Sequence, residues 1–340
     1  MQTIGVGLVG YGLGGRAFHA PYVRTTPGME LRVVVSRDRD KVHADLPDMR
    51  VVPSVAALLE EPGIDLVIVS SPDALHAEHA IAALEAGRHV LIDKPFATSL
   101  ANARRVLAAS EATDQLLTIF HNRRWDADFL TLQKLIGDGR LGEIVQFESH
   151  FDRWRPAVAS TWKEAREGGS WQDLGPHLID QALVLFGRPE AICADITTLR
   201  ADAPAPDYFH AVLRYSDKRV ILHSSKLVAA NGLRFAVHGT RGSWIKHGVD
   251  PQEAATVAGQ APGGQHWGYD PDQGSLTLCD PQRTETLPNC RGDYRKFWHD
   301  LGAAIRGEGP NPVPGTEAMM VMEVLDAGLR SATRHGEVSL

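Results

Sequence analysis

Apolar residues in the first third of the chain come in short solid runs. Ile4–Val9, Leu31–Val35, Arg50–Val52, Leu66–Val69, Val90–Ile92 and Leu116–Phe120 read as strands buried on both faces, since a strand with one wet face would alternate instead. Between them Val55–Leu59, His76–Ala86 and Leu100–Ala112 fit helices, with Gly87 placed to end one and Ser99 to cap another. Strand alternating with helix predicts a parallel, doubly wound sheet, an α/β Rossmann-type unit over residues 1–121.

The period changes after residue 122. A helix fits Asp128–Ile136, and then Ile144–Phe151, Ala191–Thr197, Tyr208–Tyr215, Arg219–Val228, Leu233–His238 and Trp244–Lys246 read as strands. Their links are of hairpin length at Ser216-Asp217-Lys218 and Gly239-Thr240-Arg241-Gly242. A second α/β domain is expected over residues 122–340, with a large, mostly antiparallel open sheet. Helices cover one of its faces; the other, if apolar, joins subunits into a homodimer or higher homo-oligomer. Tyr294–Arg306 and Glu317–Arg334 fit helices, the second with Thr316 as N-cap, while Ala201–Asp207 and Ala261–Gly274 read as loops.

Composition narrows the classes. The 340 residues leave room for two domains. Lys plus Arg at 35 against Asp plus Glu at 42 gives a net charge of -7, which argues against nucleic acid or an anionic membrane as main partner. Three cysteines without a Cys-x-x-Cys pair indicate neither a disulfide framework nor a thiolate metal site, and no metal is expected. The absence of a basic leader or a spanning apolar stretch makes the cytoplasm the expected location.

The candidate chemistry sits at strand ends. After the first strand come Gly10, Tyr11, Gly12, Leu13, Gly14 and Gly15, containing Gly-x-Gly-x-x-Gly. The spacing alone is weak in a chain with 32 glycines. Between a strand and a helix it predicts a turn that lets the backbone approach a pyrophosphate at a helix N-terminus. Where a dinucleotide fold commonly has an acid for the ribose, this chain has Ser36 and Arg37, which suit a 2′-phosphate and favour NADP over NAD. Ser71, Pro72 and His76 follow the fourth strand on the same rim and are expected at the cofactor; His76 reads equally as an ordinary helix residue, and His79 as exposed rather than half of a metal pair. The fifth strand stops at Asp93, Lys94 and Pro95. Alone, Asp93 and Lys94 are solvated charges and Pro95 only stops the strand; on this rim Asp93 and Lys94 become cofactor residues, with Lys94 the first candidate for catalysis.

In the second half, Gly168-Gly169-Ser170 introduces a helix carrying Asp173 and His177 and ended by Gly187. If Ser170 caps it, the two residues lie one turn apart; if Pro176 starts it, His177 is in the first turn. A carboxylate beside an imidazole orients it and stabilises its protonated form, as a general base near neutral pH requires. His121, Asn122, Arg123, Asp152, Arg153 and Trp171, together with Trp154, offer hydrogen-bonding and stacking groups of the kind that line a substrate cleft; core packing is the other reading for both tryptophans, and Arg124 reads as structural.

Taken together, the glycine turn, Asp93-Lys94-Pro95 in the place of a Glu-Lys-Pro, and Gly168-Gly169 followed by Asp173-x-Gly175-x-His177 resemble the Gfo/Idh/MocA oxidoreductase family. Gly10–Pro21, the Asp-Lys-Pro variant and Phe120–Asp126 are most similar to its bacterial NADP-dependent scyllo-inositol dehydrogenase group. Asp93 shortens the family's glutamate, and Ser170 replaces a frequent third glycine. The resemblance implies Lys94, Asp173 and His177 as catalytic set, NADP (or NAD) as cofactor, and a cyclic polyol or sugar, inositol-like, as substrate. Two other readings stay open: an NAD-dependent glycosidase on the same scaffold, and a non-catalytic NADP-binding ligand sensor.

Overall fold

The computed structural model describes residues 3–159, 164, 168–230 and 232–340. The chain forms two compact units: Met1–Asn122 with Gln252–Trp267 and Asp293–Met319, and Arg123–Pro251 with Gly268–Gly292 and Met320–Leu340.

The first unit begins β1 (Ile4–Val9), α1 (Ala20–Thr25), β2 (Met29–Val35), α2 (Arg39–Asp45), β3 (Arg50–Val52), α3 (Val55–Leu59), β4 (Leu66–Val69), α4 (His76–Glu85), β5 (His89–Ile92), α5 (Leu100–Thr113) and β6 (Leu117–Ile119). The strands form a six-stranded sheet in the order β3-β2-β1-β4-β5-β6, with every described pairing parallel. Every residue of β1 and β4 is buried, as their unbroken apolar sequence requires. Strand order reverses between β1 and β4, so the carboxyl ends of these two strands, at Gly10 and Ser70, form the crevice where ligands bind in open parallel sheets. Ser99 caps α5 by accepting from the Asn102 amide, as its place in the sequence predicts.

The chain continues through α6 (Ala127–Gly137), β7 (Ile144–His150), α7 (Gly169–Phe186), β8 (Ala191–Thr197), β9 (Tyr208–Arg214), β10 (Arg219–Ser225), β11 (Leu233–Gly239), β12 (Gly242–His247), α8 (Gln252–Val257), β13 (Gly274–Cys279), β14 (Gln282–Leu287), α9 (Arg295–Ile305), α10 (Gly315–Arg334) and β15 (Val338–Ser339). Helices α8 and α9 belong to the first unit. The second unit holds a nine-stranded sheet, β14-β13-β12-β11-β7-β10-β9-β8-β15, antiparallel except for the β7–β10 pair. Alternate residues of β7, β9 and β10 are buried, and α7 packs on β9 and β10. The other face is mixed rather than apolar: half-buried Val212, Ile221 and Ile245 stand among His150, His210 and His223.

Three local expectations are corrected. The β13–β14 hairpin lies in a stretch with no strand expectation, because β14 is a polar, largely exposed edge strand that shows no apolar alternation. Helix α10 starts at Gly315, before Thr316. Helix α7 has Gly168 rather than Ser170 at its N-cap and runs unbroken through Pro176.

Candidate active site

The glycine turn has the geometry that a pyrophosphate needs. Gly10 has φ 98°, and a Cβ there would lie 2.4 Å from the Ser70 carbonyl oxygen, so glycine is required both for the conformation and for the approach to β4. A Cβ on Gly15 would lie 2.2 Å from the Gly10 carbonyl oxygen, whereas one on Gly12 would meet no atom within 4 Å: the middle glycine leaves open space above the backbone where a diphosphate would lie. Leu13 is exposed, and a widened helical turn over Gly14–His19 runs into α1. Tyr11 is buried and points away, its hydroxyl donating to Asp45; burial, then that carboxylate, pushes its pKa up to about 12. Tyr11 therefore offers the site its backbone only.

At the end of β2, Ser36 Oγ accepts from the Asp38 amide (3.1 Å) and Arg37 is exposed. Asp38 caps α2 by accepting from the Lys41 amide at 3.0 Å. The nearest acid is thus committed to a helix end, while the Ser36 hydroxyl also donates to the Asp38 carbonyl at 3.0 Å and the Arg37 guanidinium stands in solvent.

Asp93 sits at the centre of this rim. Its Oδ2 accepts from Ser70 Oγ (3.1 Å) and lies 3.2 Å from Nε2 of the buried His19, and its Oδ1 accepts from the Lys94 amide (2.9 Å). A Cβ on Gly14 would lie 2.4 Å from the same carboxylate, so Asp93 also touches the nucleotide turn. Burial pushes the Asp93 carboxyl up, but His19, then His76 and Lys94, outweigh it and hold the pKa at about 2. The short carboxylate at this position is anchored to the turn and fixes the backbone of Lys94, whose side chain is half-buried. His76 joins the neighbouring turns: its Nδ1 lies 2.8 Å from the Pro95 carbonyl and its Nε2 2.9 Å from that of Ser71. His76 is buried, so it shapes the rim by holding two loops, and Pro72 is exposed beside it. His79, expected to be exposed, is half-buried with Nδ1 3.0 Å from Ser71 Oγ.

The second unit presents Asp173 and His177 one turn apart on α7. The helix start depends on Gly169, whose φ is 51° and whose Cβ would fall 1.9 Å from the Pro206 carbonyl oxygen. The Ser170 amide donates to that carbonyl at 2.7 Å. His177 is buried, with its ring edge-on to Phe151 at 6.3 Å. Arg153 lies within electrostatic range of Asp173: burial, then Arg155, pulls its guanidinium down from the usual value, while Asp173 acts the other way. Arg123 stacks over the Phe151 ring at 4.7 Å and donates to Asp126. The structure thus gathers Arg123, Phe151, Arg153, Asp173 and His177 in one region of this unit.

Other expected residues go elsewhere. Trp171 is fully buried, packs on Phe209 and donates from Nε1 to the Leu325 carbonyl; it is a core residue, because its position on α7 faces the sheet and α10. Trp154 is exposed and bridges Leu227. Asp152 points to His150 and His223. Arg124 makes a bidentate pair with Asp180, as its structural reading predicts. His121 and Asn122 are buried at the end of the first unit. Two residues were missed. His19 gave only its place four residues past a turn glycine as a signal, and Arg234 gave none. Arg234 is buried on the Phe151 and Phe235 rings and donates to Asp128, Ser149 and Gln181, whose amide in turn donates to the Arg123 carbonyl.

A parallel sheet in the order β3-β2-β1-β4-β5-β6 with a glycine turn at its crossover point defines a dinucleotide-binding protein. Profiles described as "Oxidoreductase family, NAD-binding Rossmann fold" and "Oxidoreductase family, C-terminal alpha/beta domain" match residues 4–121 and 133–340. The chain belongs to this Gfo/Idh/MocA oxidoreductase family and is a dehydrogenase. It is 46% identical to the uncharacterized oxidoreductase YdgJ of Escherichia coli (strain K12), covering 100% of this chain and 99% of that one. It is 37% identical to the scyllo-inositol 2-dehydrogenase (NADP(+)) IolW of Bacillus subtilis (strain 168), covering 100% and 97%. The structure of YPO2259 from Yersinia pestis superposes with a TM-score of 0.96 at 46% identity, covering 100% and 97%.

Proposed function

We propose that this dehydrogenase exchanges a hydride between NADP and a ring secondary alcohol of an inositol-like polyol or sugar, with Lys94, Asp173 and His177 as its catalytic residues. The observation that carries the reading is the contact of Asp93 with the glycine turn, which ties the Lys94 backbone to the nucleotide site. A bound nicotinamide dinucleotide supplies the two-electron exchange; the protein supplies the proton chemistry and the positioning. His177 takes the hydroxyl proton of the alcohol, Lys94 donates a hydrogen bond to the same oxygen as negative charge develops on it, and Asp173 binds a neighbouring hydroxyl or orients the imidazole one turn away. Ketone reduction runs the same roles in reverse. Arg123 and Arg153 contribute hydrogen-bond donors to the polyol. Likeness to an NADP-dependent scyllo-inositol dehydrogenase supports both the cofactor and the substrate class.

The test is an NADP-linked absorbance screen over inositol stereoisomers, keto-inositols and aldoses, run on the unaltered chain and on Lys94→Met. At least one compound should turn over, and the variant should lose a factor of about 10²–10⁴ in kcat with NADP affinity changed less than about threefold. A flat response across the panel removes the substrate class. Loss of NADP binding in Lys94→Met would make Lys94 a cofactor residue and end its catalytic role.

A further inference from the structure

The face of the nine-stranded sheet opposite α7 carries a donor cluster outside the site described above. In the parallel β7–β10 pair, His150 is in register with His223, and the two rings stand side by side with centroids 4.8 Å apart. Asp152 follows His150 by two residues and so returns to the same face. Its flanking amides continue the ladder, Phe151 donating to the His223 carbonyl and Arg153 to that of Ser225, which fixes the Asp152 backbone against β10. The carboxylate reaches both imidazoles: Oδ2 lies 3.1 Å from His150 Nδ1, and Oδ1 lies 2.9 Å from His223 Nδ1.

Two features separate this cluster from an ordinary hydrogen-bonded trio. His223 Nδ1 is buried, and its one close partner, Asp152 Oδ1 at 2.9 Å, lies off the line of a hydrogen bond, so the nitrogen faces a carboxylate without the alignment of a donor–acceptor pair. The outer partners of a metal ligand set are also present. His150 Nε2 lies 3.4 Å from Glu148 Oε2, Gln146 donates to the other Glu148 oxygen, and the Ser225 amide donates to Asp152 Oδ1.

We infer that His150 Nδ1, His223 Nδ1 and an Asp152 oxygen form a binding site for one divalent transition cation of the zinc type, with a fourth position for water. Two imidazoles and one carboxylate suit zinc and its neighbours rather than calcium or magnesium, which take oxygen donors. Bonds of about 2.0–2.2 Å in tetrahedral geometry put donor atoms about 3.3 Å apart; one Asp152 oxygen lies 3.1 Å from His150 Nδ1 and the other 2.9 Å from His223 Nδ1, so a turn of the carboxylate and a small opening of the rings admit the ion. All donor atoms lie within 4.8 Å of one another. His210, in register with His223 on the far side, has its ring centroid 5.9 Å away and is outside the ligand set.

The untagged protein, stripped with a chelator and dialysed, is titrated with Co²⁺ and then Zn²⁺. The site predicts one Co²⁺ per chain, the intense visible absorption of four-coordinate cobalt, and its displacement by one equivalent of Zn²⁺. Zn²⁺ affinity should fall at least tenfold in His150→Gln, His223→Gln and Asp152→Asn, and less than twofold in His210→Gln. Absence of stoichiometric binding, unchanged affinity in the first three variants, or an equal loss in His210→Gln overturns the assignment. Circular dichroism checks each variant for folding. If one fails, zinc anomalous scattering from crystals of the unaltered chain decides: a peak among the three donors supports the site, and no peak there overturns it.

Discussion

The two sheets keep their polar side chains in different places. In the six-stranded sheet the central strands β1 and β4 are buried throughout, and the polar groups of the candidate site lie just past the strand ends: Gly10 to Gly15, Ser70, Ser71, Asp93 and Lys94. In the nine-stranded sheet one face is buried and the other carries imidazoles and carboxylates, while Arg234, a fully buried cation, lies on the buried face. A rim site needs only the strands and their order to be located. A face site needs register, and a buried ion pair needs the packing itself.

The buried pair gives the largest expected effect. Arg234 and Asp128 are both fully buried, and they face each other at 3.1 Å. Arg234→Met leaves Asp128 as an uncompensated buried charge and should cost about 3–5 kcal/mol in urea unfolding. Adding Asp128→Leu should recover much of the loss. Were Arg234→Met nearly neutral, the second unit would not depend on a charge under α7, and the contrast between the sheets would shrink to one of exposure.

The rim offers a smaller and pH-dependent effect. With a folded pKa of about 2 against about 3.9 unfolded, Asp93 contributes stability that is present above the unfolded value and is lost as pH falls from about 4 to about 2. The shift corresponds to about 2.5 kcal/mol. Asp93→Asn should be destabilised by about that amount at pH 7, and the gap to the unaltered chain should close below pH 4. Urea midpoints measured across that range check the sign as well as the size; a gap that persisted at pH 2 would place the effect in packing rather than charge.

The same contrast explains what the sequence could reveal. Solid apolar runs marked every strand of the first sheet, and the strand-turn-helix context made the glycine turn legible, because the constraints on Gly10 and Gly15 are local. Asp173 and His177 were legible as a helical pair, but the start of their helix was not: Gly169 is demanded by the Pro206 carbonyl, a contact with a distant segment. Trp171 has the composition of a stacking residue in a sugar site, and only the seating of α7 against the Leu325 carbonyl puts it in the core. His19, Arg234 and the partners of Asp152 depend on pairings between segments far apart in the chain, which periodicity does not encode.

The smallest effect concerns the cofactor and sharpens how far rim chemistry follows from strand ends. Ser36 and Arg37 end β2 with no acid free to accept from a ribose, since Asp38 is spent on the α2 cap. Replacing Ser36 by Asp restores an acceptor for two ribose hydroxyls, and removing the Arg37 guanidinium deletes the donor fork for a 2′-phosphate. The double variant Ser36→Asp, Arg37→Ala should shift the NADP to NAD ratio of kcat/KM towards NAD by at least tenfold, about 1.4 kcal/mol, with little change in thermal midpoint. An unchanged ratio would mean that the phosphate is read by residues other than those following β2, and that strand order locates the nucleotide without specifying it.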